Sequence, residues 1–234
     1  MRENIAKKIL YEDDQMIVCR KKAGIAVQTK KLSEPDLYSQ LMNYLAMKGE
    51  KPYIGIIHRL DQPVEGVMVF AKTKEAAAIL NKQLQQNGFG KYYLAVTLGN
   101  LPKEHGELMN YLLKDGKTNT STVVEHKTMG AKKAVLTYEV INHRENLSLV
   151  RIKLETGRHH QIRVQMAHLG CPLVGDRKYS SNAEGLPEQY CTPEYLKRMQ
   201  LALCSCRLEF KHPQTGKHME FEIQPEGEVF SWFA

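Results

Sequence analysis

Val135-Leu136-Thr137-Tyr138-Glu139-Val140-Ile141-Asn142-His143-Arg144-Glu145-Asn146-Leu147-Ser148-Leu149-Val150-Arg151-Ile152-Lys153-Leu154 reads as two β-rich runs, 135–141 and 147–154, joined by a polar connection. Branched and aromatic residues fill the runs and Asn, His, Arg and Glu fill the gap, which is the signature of an antiparallel hairpin. Working outward, similar short runs occur at 9–11, 16–19, 66–71, 91–98 and 121–125. Two more, at 201–210 and 218–223, flank the turn signal His212-Pro213-Gln214-Thr215-Gly216. Three helical patterns are set among them. Leu37, Leu41 and Leu45 recur at i, i+4 and i+8 over 36–48, with Gly49 where a C-terminal cap belongs. Thr73 is an N-cap for a helix running to about Gln86, and Ile162, Met166 and Leu169 share one face of a helix over 160–169 that Gly170 stops. Gly24 is a breaker, and 177–189 is expected to be loop. Hairpin-linked strands with a few inserted helices predict an α+β fold with a mainly antiparallel sheet, rather than a βαβ array.

The chain has 234 residues, and 33 Lys plus Arg against 26 Asp plus Glu leave a net charge of +7. At about 150 residues per domain the length suits one large domain or two small ones. With no repeat and no linker rich in Pro, Gly or Ser, a single domain over 1–234 is the expectation. Hydrophobic residues at 42% and charged residues at 25% exclude a disordered chain. Apolar runs such as Val67 to Phe70 fall far short of the ~20 residues of a membrane span. The N-terminus lacks the apolar core of a secretion signal, and five cysteines without CxxC spacing suit a reducing compartment, so the cytoplasm is expected.

Three segments carry ionisable groups in suggestive patterns. In Ile56-Ile57-His58-Arg59-Leu60-Asp61-Gln62, an extended chain would put Arg59 and Asp61 on one face and His58 and Leu60 on the other. That arrangement suits a surface ion pair, or a carboxylate kept ionised by guanidinium groups and poised to react. Thr156-Gly157-Arg158-His159-His160-Gln161-Ile162-Arg163 falls at a strand-to-helix junction whose free N–H groups attract anions. Zinc on His159, His160 and His168 competes poorly, because adjacent histidines point to different helix faces and no cysteine lies at ligand spacing. In Lys91-Tyr92-Tyr93-Leu94-Ala95-Val96 the alternation sends Tyr93 with Ala95 to one side, a ring for core packing or for stacking on a base.

Taken in order, His58-Arg59-Leu60-Asp61 with Gly66 and Ala71-Lys72, then Lys91 to Ala95, then Thr156 to Val164, resemble the three signature motifs of the RluA family of RNA pseudouridine synthases. The likeness extends to Ile9 through Asp14, to Pro172-Leu173-Val174-Gly175-Asp176, and to Leu208-Glu209-Phe210 with His212-Pro213. It implies a single catalytic domain with a mainly antiparallel mixed sheet, flanked by helices and loops, and an active-site cleft across the sheet. The implied reaction converts a uridine of a structured RNA, ribosomal ahead of transfer RNA, into pseudouridine by base flipping, without cofactor or metal. By the same resemblance Asp61 is the catalytic aspartate, Tyr93 packs against the uracil, Arg163 pairs with the aspartate, and Arg59 evicts the target base. His58, Lys91, Arg158, His160 and Gln161 complete the expected substrate-binding set.

Two departures stand out. Val64-Glu65 replaces the small-hydroxyl pair common in the family, and Lys21-Lys22-Ala23-Gly24 has lysine where proline is usual. The chain begins close to the core, so no separate N-terminal RNA-binding domain is expected. A monomer with RNA as its partner, and with neither membrane nor dinucleotide, is also expected. An RNA-binding or RNA-folding protein that keeps the fold without the chemistry is the alternative reading.

Overall fold

In chain order the elements are β1 (Ile9–Glu12), β2 (Met16–Lys21), α1 (Leu37–Met47), β3 (Gly55–Ile56), β4 (Glu65–Ala71), α2 (Lys74–Gln85), β5 (Gly90–Leu98) and β6 (His105–Asp115). There follow β7 (Thr120–Val124), β8 (Lys132–Arg144), β9 (Leu147–Leu154), α3 (Gln161–His168), α4 (Pro193–Arg198), β10 (Leu203–Lys211) and β11 (His218–Glu222). The computed structural model describes residues 5–30, 34–180, 186 and 188–233. The chain forms two compact units, one from Met1–Gly90 with Ser205–Gln224, the other from Lys91–Cys204 with Pro225–Ala234.

In the first unit the strand order is β1-β2-β4-β10, with β3 also on β4 and β11 on β10. β2 pairs antiparallel with β4 from Met16 opposite Ala71 to Lys21 opposite Gly66. Every residue of β4 is buried, as befits a central strand covered on both faces. Met16, Val18, Val67, Val69, Phe89, Leu208 and Phe210 form a core with Ala76 and Leu80 of α2. α1 starts where Asp36 accepts the Ser39 N–H at 2.7 Å, and α2 where the Thr73 hydroxyl accepts the Ala76 N–H at 3.0 Å. The expected leucine stripe of α1 is buried, at about 1.5–3 kcal/mol per side chain. Gly66 has φ +147°, and a Cβ there would lie 2.4 Å from Ser205 Cβ, so only glycine lets β4 pass this point.

The second unit has the order β5-β9-β8-β6-β7, antiparallel in each of these pairings. The hairpin read at 135–154 is present as β8 and β9, paired from Leu136 opposite Leu154 to Arg144 opposite Leu147. Its connection is tighter than the sequence suggested. β8 runs on to Arg144, and Glu145, at φ +53°, turns the chain within two residues. β6 was not foreseen, nor was α4. α3 packs against β6 and β7, with Val164 meeting Leu112 and Ala134 in a small buried cluster. Part of the loop expected at 177–189 lies outside the described residues. All five cysteines lie outside any disulfide. Among the described residues no helix is long and apolar enough to cross a membrane.

Candidate active site

The segment that carries Asp61 leaves the sheet as soon as it begins. β3 lasts two residues, Gly55 opposite Ala71 and Ile56 opposite Phe70, and the next edge position of β4 is taken by a side chain. The Val69 N–H donates to His58 Nε2 at 3.2 Å. That nitrogen therefore offers its lone pair, and His58 acts as an edge cap rather than as a free base. Ile57, Leu60 and Val64 are buried and pin the segment, so the alternation expected of an extended strand is replaced by an irregular turn. Arg59 is exposed and donates to Gln28 Oε1 at 2.9 Å. Asp61 is half-buried, and its carbonyl accepts the Val64 N–H at 3.0 Å, closing the turn.

A lysine to which the sequence reading gave no role, the first of Lys21-Lys22-Ala23-Gly24, holds this turn from beneath. Lys21 is wholly buried. Its ammonium donates to three carbonyls, those of Lys22 at 3.0 Å, Ile25 at 2.7 Å and Gln62 at 3.0 Å. Gly24 N–H also donates to Gln62 O at 2.8 Å, and Gln62 Nε2 to Gly24 O at 3.0 Å. Burial pulls the Lys21 ammonium down to about 7, against the charges of Asp61 and Glu65, which pull it up. Glu65, the second residue of the Val64-Glu65 departure, is buried, at 5% exposed.

The other expected residues belong to the second unit. Tyr93 is buried in β5 opposite Ile152, on the same side as buried Ala95. Burial pulls the Lys91 ammonium down, and neighbouring Arg158 adds to this while Glu155 opposes it. The 155–160 loop is tied by Gln161. Its Oε1 accepts from Thr156 Oγ1 at 2.8 Å and from the Arg158 N–H at 3.0 Å, while its Nε2 donates to Val135 O at 3.0 Å. The Gln161 amide is thus spent on the protein itself. Arg158 Nε donates to Lys133 O at 2.8 Å.

His160 enters α3 with φ +53°, a left-handed residue without a side-chain cap. The Tyr179 hydroxyl accepts the Ser121 N–H at 2.8 Å and shares a hydrogen bond of 2.7 Å with His160 Nδ1. His159 stacks on His160 with ring centres 3.8 Å apart, and its own nitrogens meet Ser121 Oγ and Asn119 Oδ1. These engagements speak against the zinc arrangement of adjacent histidines. Elsewhere, Glu209, His218 and Glu220 bring ligand atoms within 4.8 Å of one another, but Arg207 already sits against both carboxylates.

Arg163 is 4% exposed and makes a two-pronged bond to Asp176, Nε to Oδ2 and Nη2 to Oδ1, both at 2.7 Å. Asp176 Oδ1 accepts in addition from the N–H groups of Lys178 at 2.9 Å and Tyr179 at 3.3 Å. The guanidinium carbon stands 5.1 Å from the centre of the Tyr179 ring. Asp176 and Tyr179 were absent from the expected set, although Pro172 to Asp176 was part of the resemblance.

A family model described as RNA pseudouridylate synthase matches residues 15–168. The chain belongs to the RNA pseudouridylate synthase family. It is 37% identical over 184 residues to the uncharacterized RNA pseudouridine synthase YhcT of Bacillus subtilis, a match covering 77% of this chain and 60% of that one. With ribosomal large subunit pseudouridine synthase D of Pasteurella multocida it shares 34% identity over 94% of this chain and 67% of the relative. The same-named protein of Pseudomonas aeruginosa matches at 33% over 98% and 71%. The chain thus spans 60–71% of the length of these three relatives. The fold is that of human RNA pseudouridylate synthase domain containing 4, with a TM-score of 0.81, 23% identity and coverage of 98% of this chain and 93% of that one.

Proposed function

We propose that the chain isomerises a uridine of ribosomal RNA to pseudouridine, in the cytoplasm and as a monomer. The observation that carries this is the family match across residues 15–168, a span that includes Asp61, Tyr93 and Arg163. Relatives named as ribosomal large subunit synthases favour ribosomal over transfer RNA. In the reaction the N1–C1′ bond breaks, the uracil turns and C5 joins C1′. C5 loses a proton and N1 gains one, so the atoms balance without redox change. Asp61 is the reacting carboxylate, Tyr93 packs against the uracil and assists removal of the C5 proton, and Arg163, whose guanidinium is bound to Asp176 rather than paired as the resemblance implied, is the third catalytic residue of this reading. Flipping the base out of its stack costs a few kcal/mol, which stacking and basic contacts to phosphate offset. Arg59, Lys91 and Arg158 supply such contacts in this reading, with His58, His160 and Gln161 shaping the loops that carry them.

The test uses RNA labelled with tritium at uridine C5. Wild-type protein releases tritium and leaves pseudouridine at a mappable position, and Asp61→Ala does neither. Equal release from both would refute the role of Asp61, and product only on transfer RNA would refute the substrate assignment.

A further inference from the structure

One stretch of the second unit concentrates positive charge outside the residues assigned above. Residues 114–133 hold five lysines, Lys114, Lys117, Lys127, Lys132 and Lys133, against two acids, Asp115 and Glu125. All five lysines are exposed, and among the described residues none of them is ion-paired. Asp115 is spent on its own turn, where Oδ1 accepts the Lys117 N–H at 2.7 Å and Oδ2 accepts the Thr118 hydroxyl at 2.9 Å.

The sheet register places two of these lysines on the face of the proposed chemistry. Paired residues of an antiparallel sheet project to the same side, and so do alternate residues of one strand. Tyr93 lies opposite Ile152, and Ile152 opposite Tyr138. Along β8, Leu136, Ala134 and Lys132 share the side of Tyr138. Lys132 in turn lies opposite Leu112, two residues before Lys114 in β6. Lys114 and Lys132 therefore emerge on the face that carries Tyr93 and also α3, whose Val164 packs with Leu112 and Ala134. Two strand spacings and six residues along β8 separate Lys132 from Tyr93, about 20 Å. A flipped uridine at Tyr93 does not span that distance, whereas the RNA chain on either side of it does. The lysine segment is also fastened to the loop that carries Arg158. Arg158 Nε donates to Lys133 O at 2.8 Å, and the His159 nitrogens meet Ser121 Oγ at 2.9 Å and Asn119 Oδ1 at 3.1 Å. RNA that reaches Arg158 thus meets the lysines as a continuation of the same surface.

We propose that Lys114, Lys117, Lys132 and Lys133 form a phosphate-binding platform that holds the substrate RNA about 20 Å from the reacting uridine. The proposal rests on the reading of the chain as a synthase acting on RNA. An ammonium on a flexible stem meets phosphate as a point charge, so the platform grips the backbone and leaves the choice of uridine to the site around Asp61. It acts on affinity and not on the chemical step.

The experiment measures binding of a large-subunit ribosomal RNA transcript between about 50 and 200 mM salt, together with kcat and KM for pseudouridine formation. It compares wild type with a quadruple variant carrying Lys114→Ala, Lys117→Ala, Lys132→Ala and Lys133→Ala. A second quadruple variant replaces Lys7, Lys74, Lys82 and Lys217, exposed lysines of the first unit, and removes the same net charge. Losing four phosphate contacts should make the slope of log affinity against log salt shallower by about 3, at about 0.7–0.9 per contact. KM should rise about tenfold or more while kcat stays within about twofold of wild type. The four lysines replaced by arginine should keep the wild-type slope, and the first-unit variant should change it by less than about 1. An unchanged slope, as a platform for an acidic protein would give, overturns the proposal. So does an equal loss in the first-unit variant, which would assign the effect to net charge alone. Wild-type protein that forms no pseudouridine would sink the functional reading instead, and the salt slopes would still judge the platform.

Discussion

Asp176→Ala removes the partner of a buried guanidinium. Arg163 and Asp176 are 4% and 2% exposed, and two bonds of 2.7 Å join them. Breaking such a pair from one side costs about 3–5 kcal/mol, because the remaining charge is stranded away from water. The N–H groups of Lys178 and Tyr179 lose their acceptor as well, at about 1 kcal/mol each if water does not replace it. The expected loss is therefore about 5–7 kcal/mol, a large part of the stability of an ordinary domain. Urea unfolding followed by the fluorescence of Trp232, the only tryptophan and a buried residue of the same unit, measures it. A double-mutant cycle with Arg163→Ala separates the pair from its surroundings, with a coupling of about 2 kcal/mol or more expected. Arg163→Ala should also abolish turnover. A coupling near zero, or an Asp176→Ala cost below about 1 kcal/mol, would show that the pair is not what holds Arg163 in place.

Two further outcomes follow from the first unit. Gly66→Ala must fit a Cβ 2.4 Å from Ser205 Cβ and 2.6 Å from Ser205 O at φ +147°, so a loss of about 3 kcal/mol or more is expected in thermal or urea unfolding, and a loss within 0.5 kcal/mol would refute the crowding. Burial pushes the Asp13 carboxyl up, but bonds from His212, the N–H groups of Gln15 and Met16, and Tyr11 outweigh it and hold the group below its ordinary value near 3.8. Its contribution is therefore complete above pH 4 and is lost as pH falls through the lowered value. Asp13→Asn should flatten the acid limb of the stability curve, and an unchanged limb would argue against the role.

The β8–β9 hairpin, the leucine stripe of α1 and the Thr73 cap were legible because local chemistry and tertiary environment agree there. β6 was not, because Gly106, Asn110 and Asp115 are poor strand formers and the strand is largely exposed. Gly106 is explained by the Tyr138 ring, whose atoms would lie 2.6 Å from a Cβ at that position, a neighbour in space and not in sequence. The role of Lys21 was not legible for a related reason. In sequence it begins a Lys-Lys pair that reads as solvated surface, and only the tertiary placement of Gln62 and Ile25 reveals three waiting carbonyls. Asp61, Tyr93 and Arg163 were named through motif order, whereas Asp176, 13 residues beyond Arg163, emerges from the folded ion pair.

The first unit is discontinuous in the chain, and this bears on how the protein is made. Leu208 and Phe210 belong to the same core as Val67, Val69 and Phe89, yet they leave the ribosome more than a hundred residues later. Until then β4 lacks its β10 neighbour, and an apolar strand edge waits while all of Lys91–Cys204 is synthesised. Closing so long a loop adds little to the equilibrium cost, which grows only with the logarithm of length, but it makes the last step of assembly slow. A nascent chain stalled near Cys204 would therefore present a sticky, half-built sheet, and a nascent-chain chaperone would find its binding site there.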